Sequence, residues 1–210
     1  MQSISSKNTG KVTLAGTKLD KVHVLLLDNS THVTELFKKM LNEFGFTNVF
    51  VANNGFQGVQ ILREVKINLI ITDWDLKLPV RSNEASNVIS HKEILPLSGV
   101  DFVRRLRQSP TSPNPIIPII MFADTVEEIQ VKSARDAGVD EICIKPLSAE
   151  ELCKRIVAVI EKPRIFVTAK TFKGPCRRQK KIALPPHQKD KRKCEIRIVK
   201  YNEKVGGMQR

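Results

Sequence analysis

The sequence predicts an α/β fold in which parallel strands form one sheet with helices on both faces. Two observations carry that prediction. Short apolar runs and amphipathic stretches alternate five times between residues 21 and 161, and right-handed crossovers leave such an alternation few other arrangements. Several of the apolar runs also end abruptly in acids or a lysine, as expected where an open parallel sheet collects its function at the carboxyl ends of its strands.

Each element has its own signal. "VHVLLL" (22–27) reads as a buried strand, and the helix after it carries Val33, Leu36, Phe37, Met40, Leu41 and Phe44 at helical spacing until Gly45 stops it. "NVFVA" (48–52) is a short strand. "GFQGVQILREV" (55–65) is a helix with Phe56, Val59 and Leu62 on one face. "LIIT" (69–72) is the third strand, and a long polar stretch separates it from the helix "GVDFVRRLRQ" (99–108). "IIPIIMF" (116–122) and "EICI" (141–144) are the fourth and fifth strands, on either side of a helix over 126–138. The last helix, 148–162, opens with Ser148 and Glu151 spaced as a capping box.

The formal net charge of +13 is unevenly placed. Residues 1–161 hold 19 basic and 19 acidic residues, whereas residues 162–210 hold 16 basic against 3 acidic, so the whole excess lies in the tail. The expected organisation is a disordered arm over 1–20, a neutral domain over 21–161 and a basic, mostly irregular tail over 162–210, in which "EIRIVKY" (195–201) alternates well enough for one strand. No apolar run is long enough to span a bilayer, and residues 1–20 lack the core of a secretory signal. Cys143, Cys153, Cys176 and Cys194 show no CxxC spacing. A cytoplasmic location without a membrane partner is expected.

"LIITDWD" ends an apolar strand in Asp73 and Asp75. A carboxylate there either caps the following turn or enters a crevice containing a cation. Asp28–Asn29 after the first strand, Ala123–Asp124 after the fourth and Lys145–Pro146 after the fifth converge on the same sheet edge, so Asp73 has company.

Asp28, Asp73 and Lys145 on five strand–helix units resemble the bacterial receiver domain, the phospho-acceptor half of two-component signalling, in its chemotaxis-type single-receiver form. "LLLDNS", "FGF", "ANNG", "ITDWD", "GVDFVRRLR", "IPIIMF" and "ARDAGVDEICIKP" follow that family's order over residues 21–161. The resemblance implies a flavodoxin-like sheet in the order 2-1-3-4-5. It also implies a signalling module that catalyses at most its own phosphorylation and dephosphorylation. Asp73 would be the nucleophile, and Lys145 would pair with the phosphoryl oxygens. Asp28, directly or through water, Asp73 and the Asp75 backbone carbonyl would hold Mg²⁺. A histidine kinase or phosphotransfer protein would donate the phosphoryl group, and a downstream protein would read it.

This sequence departs from the family at several positions. Asn29 replaces the second acid, which removes one charge from the metal pocket and weakens Mg²⁺ binding. The Asp75 side chain either compensates or faces solvent. Ala123 stands where the family has a hydroxyl that bonds the phosphoryl group. Asp124 puts a repelling carboxylate beside it, and Ile142 occupies the aromatic switch position. Two functions follow: a phospho-acceptor response regulator without a DNA-binding effector, or a pseudo-receiver that binds partners through its insertion or tail.

That insertion, at about residues 77–97, lengthens the interval from Asp73 to Gly99. It is either a lid or docking element, or a surface loop without a role. The tail's "PRIFVTAKTFKGPCRRQKK" resembles the segment ending in Gly-Pro-acid-Arg-Arg behind some alphaproteobacterial receivers, with Cys176 in place of the acid. Its clusters (Arg177, Arg178, Lys180 and Lys181, then Lys191, Arg192 and Lys193) suit a solvated tail with no partner or an acidic protein partner better than nucleic acid, because few aromatics accompany them. Cys176, His187 and Cys194 do not have the spacing of a zinc site. Trp74 is expected to pack while partly exposed, His32 to face solvent at a helix start, and His23 to lie in the core.

Overall fold

The computed structural model describes residues 19–76, 98–125, 127–169, 172–177, 195–197, 201–202 and 207–208. Five parallel strands form the central sheet: β1 (His23–Leu27), β2 (Asn48–Ala52), β3 (Leu69–Asp73), β4 (Ile119–Ala123) and β5 (Glu141–Ile144). Their order, β2-β1-β3-β4-β5, is the one expected. The register runs Leu27↔Ala52, Leu27↔Thr72, Asp73↔Phe122 and Ala123↔Ile144 across successive pairs, so the strand ends that carry acids lie side by side.

The side-chain alternation of a strand divides the core in two. Val24 and Leu26 of β1 face one way with Leu69, Ile71, Ile120 and Phe122, beneath α1 (Thr31–Glu43) and α5 (Ala149–Glu161). Leu25 and Leu27 face the other way with Ile70, Ile119 and Met121, beneath α2 (Gly55–Glu64), α3 (Gly99–Gln108) and α4 (Glu128–Ala137). Each fully buried aliphatic side chain contributes roughly 1.5–3 kcal/mol, so both helical layers are held by the sheet. Caps fix where the helices begin. Ser30, Asn54, Ser98 and Ser148 each accept a backbone N–H from the first turn of α1, α2, α3 and α5. Among the described residues no helix is long and apolar enough to cross a membrane.

Several elements differ from the sequence reading. β4 begins at Ile119, because residues 116 and 117 precede Pro118, which has no N–H for a ladder, and the Ile117 carbonyl goes to Arg107. α4 begins at Glu128, where Glu127 receives the Gln130 side chain on its N–H. At α5 the Ser148 hydroxyl caps Glu151 N–H as expected, but the Glu151 carboxylate pairs with Arg155. The end of the N-terminal arm is ordered: Leu19 is buried, and the Asp20 carbonyl accepts Asn48 and Thr47. The 77–97 insertion lies outside the described residues.

The tail contains more structure than one strand. β6 (Phe166–Ala169) and β7 (Phe172–Pro175) form an antiparallel hairpin, and β8 (Glu195–Arg197) adds to the free side of β6. Tyr201–Asn202 and Gly207–Met208 pair separately as β9 and β10. The hairpin docks on the sheet edge opposite the acids. Phe166 is buried there, and Arg177 forms an ion pair with Asp136 of α4 at 2.8 Å. Gly174 lies so close to Gly138 that an added Cβ would meet its Cα at 3.0 Å. Gly138 ends α4 at φ 101°, a conformation suited to glycine.

Candidate functional site

Parallel pairing brings the ends of β1, β3, β4 and β5 to one edge, and three of the four chain exits there are acidic. Asp28 follows β1 and is 4% exposed. Its Oδ1 accepts the Ser30 N–H at 2.8 Å, which fixes the carboxylate while Ser30 caps α1. Asp73 closes β3, with Oδ2 accepting the Asp75 N–H at 3.1 Å. Its backbone is held from behind: Gly99 N–H donates to the Trp74 carbonyl at 2.8 Å. A Cβ on Gly99 would come within 2.0 Å of the Asp73 carbonyl oxygen, so only glycine permits the return of the chain here.

Lys145 reaches in from the end of β5, where its N–H donates to the Ala123 carbonyl at 2.9 Å and a cis bond leads into Pro146. Its Nζ donates to Asp73 Oδ1 at 2.6 Å and to Asp28 Oδ2 at 3.3 Å. Burial opposes the charge on Lys145, but the hydrogen bond and charge of Asp73, joined by those of Asp28, exceed it and leave the ammonium above its ordinary pKa. Burial also pushes Asp28 above the usual carboxylate range, against the Ser30 N–H and the charge of Lys145.

The departures from the resembled pattern are also placed. Asn29 donates its amide to the Asp75 carbonyl at 3.0 Å, which joins the β1 exit to the β3 exit. Asp75 itself is exposed. Ala123 is buried and brings no hydroxyl to the edge. Asp124 has an 84% exposed side chain, its Oδ1 4.0 Å from Lys145 Nζ. Ile142 packs half-buried against the α2–α3–α4 layer, as does Trp74. His32 is exposed. His23 is not a core residue: it is half-buried at the start of β1, with Nδ1 against the Lys66 carbonyl and its ring edge-on to Phe50. Of the basic tail residues Arg177 is described, at the hairpin on the opposite edge. Arg178, Lys180, Lys181, Lys191, Arg192 and Lys193 lie outside the described residues, as do His187 and Cys194.

The donors on this edge are carboxylate and carbonyl oxygens, the ligand type of Mg²⁺ rather than zinc. Among the described residues no group of three His, Cys, Asp or Glu side chains is placed to hold a metal. Two carboxylates and a backbone carbonyl still fit Mg²⁺, which commonly takes one or two protein carboxylates and completes its shell with water and phosphate oxygens. Asp28, Asp73 and the Asp75 carbonyl are the residues that would hold it.

The sequence reading missed Arg107. It is fully buried at the amino edge of the sheet and forms an ion pair with Asp140 at 3.0 Å. Its position at the end of "VRRLR", after Arg104 and Arg105, gives no sign of this role.

Comparison with known proteins bears on the family and the fold. A family model described as the response regulator receiver domain matches residues 24–157. The chemotaxis protein CheY of Pseudomonas aeruginosa is 22% identical over 139 residues, covering 66% of this chain and 96% of that protein. A probable chemotaxis protein CheY of Rhizobium etli is 24% identical over 140 residues, covering 67% of this chain and 93% of its own. Among solved structures, chemotaxis protein CheY4 of Vibrio cholerae superposes with a TM-score of 0.51 at 21% identity, covering 64% of this chain and 95% of that one.

Proposed function

Because the chain belongs to the response regulator receiver family, we propose that it takes a phosphoryl group onto Asp73 from a histidine kinase or phosphotransfer protein and signals through protein contacts. The observation that carries this reading is Lys145 Nζ, 2.6 Å from Asp73 Oδ1 and 3.3 Å from Asp28 Oδ2. Phosphoryl transfer requires little covalent chemistry from a protein beyond positioning and charge neutralisation.

In the transfer, an Asp73 carboxylate oxygen forms the new P–O bond as the P–N bond of a phosphohistidine breaks. The imidazole nitrogen keeps the electron pair and takes a proton. Gly99 and the Asp75 N–H hold Asp73 in place, and Lys145 turns from the free carboxylate to the phosphoryl oxygens. Receiver domains of this family bind Mg²⁺ at the phosphorylation site; here it would supply the remaining positive charge. Asn29 contributes a neutral amide in place of an acid, so this chain should need more Mg²⁺ than a receiver with both acids. Ala123 offers no hydroxyl to the acyl phosphate, so the output should depend less on a hydroxyl-coupled switch. The unbalanced charge of the tail suits an acidic protein as downstream partner.

The test is incubation of the full chain with acetyl phosphate and increasing Mg²⁺, with intact mass and the fluorescence of Trp74, the only tryptophan, followed together. A Mg²⁺-dependent gain of one phosphoryl mass, absent in Asp73→Asn, is expected. No gain at tens of millimolar Mg²⁺, or a gain that survives Asp73→Asn, would overturn the proposal.

A further inference from the structure

Asp28, Asp73 and the Asp75 carbonyl offer five oxygens to a cation, and each of them already accepts a hydrogen bond. Ser30 N–H donates to Asp28 Oδ1, and Asp75 N–H to Asp73 Oδ2. Lys145 Nζ donates to Asp28 Oδ2 and to Asp73 Oδ1. The fifth oxygen, the Asp75 carbonyl, accepts the Asn29 side-chain amide at 3.0 Å. Two of these donors are backbone groups that fix the carboxylates, and Lys145 belongs to the phosphoryl chemistry. Asn29 is the one donor among them with no part in the transfer.

A backbone carbonyl only accepts, so the atom that Asn29 turns toward it is the NH₂ and not the amide oxygen. An aspartate at this place would present acceptors alone, the ligand type of Mg²⁺. The amide as it stands directs the positive end of an N–H dipole at the oxygen that a cation would use. Asn29 is half-buried and its bond to Asp75 lies on the exposed side of the site, so the side chain has room to turn. Turning loses it that hydrogen bond.

We infer that Asn29 is a latch on the metal site: its amide holds the Asp75 carbonyl and has to release it for Mg²⁺ to bind there. The inference rests on the reading in which Asp28, Asp73 and the Asp75 carbonyl hold Mg²⁺. It goes beyond the loss of one acid, because the two effects part company when the side chain is cut back. Were the missing charge the whole effect, Asn29→Ala would bind Mg²⁺ no better than the wild type. With a latch, Asn29→Ala binds better, although it brings neither charge nor ligand.

The experiment is a Mg²⁺ titration of the full chain without a phosphodonor, as wild type, Asn29→Ala and Asn29→Asp. The midpoint is read from Trp74 fluorescence and from the Asp75 backbone amide in ¹⁵N–¹H NMR. Losing one competing hydrogen bond should lower the midpoint of Asn29→Ala about three- to tenfold. Asn29→Asp, which also restores the charge, should lower it further. In the wild type the side-chain NH₂ signal of Asn29 should move with the same midpoint as Trp74, which tests the latch without any substitution. An equal or higher midpoint in Asn29→Ala would overturn the latch while leaving Mg²⁺ binding in place. So would an Asn29 NH₂ signal that stays still while Trp74 responds. No response in any of the three proteins up to tens of millimolar Mg²⁺ would overturn the Mg²⁺ reading and the latch together.

Discussion

The two edges of the central sheet each hold a cation against carboxylate, fully buried Arg107 at one and half-buried Lys145 at the other, and they are built in opposite ways. At the amino edge, Arg107 donates from Nε to the Gly138 carbonyl at 3.0 Å and from one terminal nitrogen to the carbonyls of Pro115 and Ile117, both at 2.7 Å. Its other terminal nitrogen reaches Asp140 Oδ2 at 3.0 Å, and its guanidinium lies 5.5 Å from the Phe166 ring centroid. Asp140 accepts in turn from Ile119 N–H, and Arg164 bonds its carbonyl. At the carboxyl edge, Lys145 is a point charge on a flexible stem, its side chain 20% exposed, shared between two acids. A fork-shaped cation with acceptors on every side holds loops together, whereas a compact cation with donor capacity to spare can change partners. The first arrangement is structural and the second is suited to chemistry.

The sharpest way to break this contrast is Arg107→Ala. It strands Asp140 and three carbonyls away from water and removes the surface on which Phe166 packs, and breaking a buried pair from one side costs about 3–5 kcal/mol. Arg107→Lys should recover little of this, since an ammonium cannot reach four acceptors in one plane. Urea unfolding measures both. A loss under 1 kcal/mol for Arg107→Ala would mean that the hairpin and its network are decoration on an already stable domain.

The same contrast explains what could be read in advance. All five strands were legible, the central β1, β3 and β4 as buried apolar runs and the edge strands β2 and β5 as short, mostly apolar ones, and the edge rule then placed Asp28, Asp73 and Lys145 together. The Asn29 bond to the Asp75 carbonyl was not legible, since a side-chain amide shows nothing of its direction in the sequence. Arg107 was hidden for a different reason. Its acceptors are carbonyls near Pro115 and Gly138 and an acid 33 residues later, and carbonyls carry no sequence signal. The hairpin was missed because "FVTA" and "FKGP" are too short and too mixed for a period, and they become strands by docking on Gly138 and Arg107.

At the carboxyl edge the corresponding change is Lys145→Ala. Removing one positioned cation from a site that stabilises developing charge costs roughly 10²–10³ in rate, so acetyl-phosphate labelling of Asp73 should slow by that order. Unfolding should shift far less than for Arg107→Ala, because a solvent cation can take the vacated place between the acids. Were the two substitutions equally destabilising, the carboxyl edge would be as structural as the amino edge, and the contrast would fail.

The smallest expected effect concerns the sign of a single charge. Burial raises the pKa of Asp28 above its ordinary 3.8. Such a carboxyl holds its proton more tightly in the folded chain than in the unfolded one. Its stabilising contribution is therefore full below about pH 3.8 and is lost as pH rises through the higher folded value. At neutral pH ionised Asp28 costs stability, and Asp28→Asn should relieve that cost while leaving Lys145 bonded to Asp73. The stability of the variant minus that of the wild type should rise with pH from about 4 and then level off, reaching a gain smaller than either loss above. Urea unfolding of both proteins between pH 4 and pH 8 gives the curve. A variant less stable than the wild type at pH 7 would mean that the Lys145–Asp28 contact outweighs burial, and the carboxyl edge would then hold its acid as firmly as the amino edge holds Asp140. A gain would mean that the fold tolerates an unfavourable buried charge at the place where an arriving cation can neutralise it.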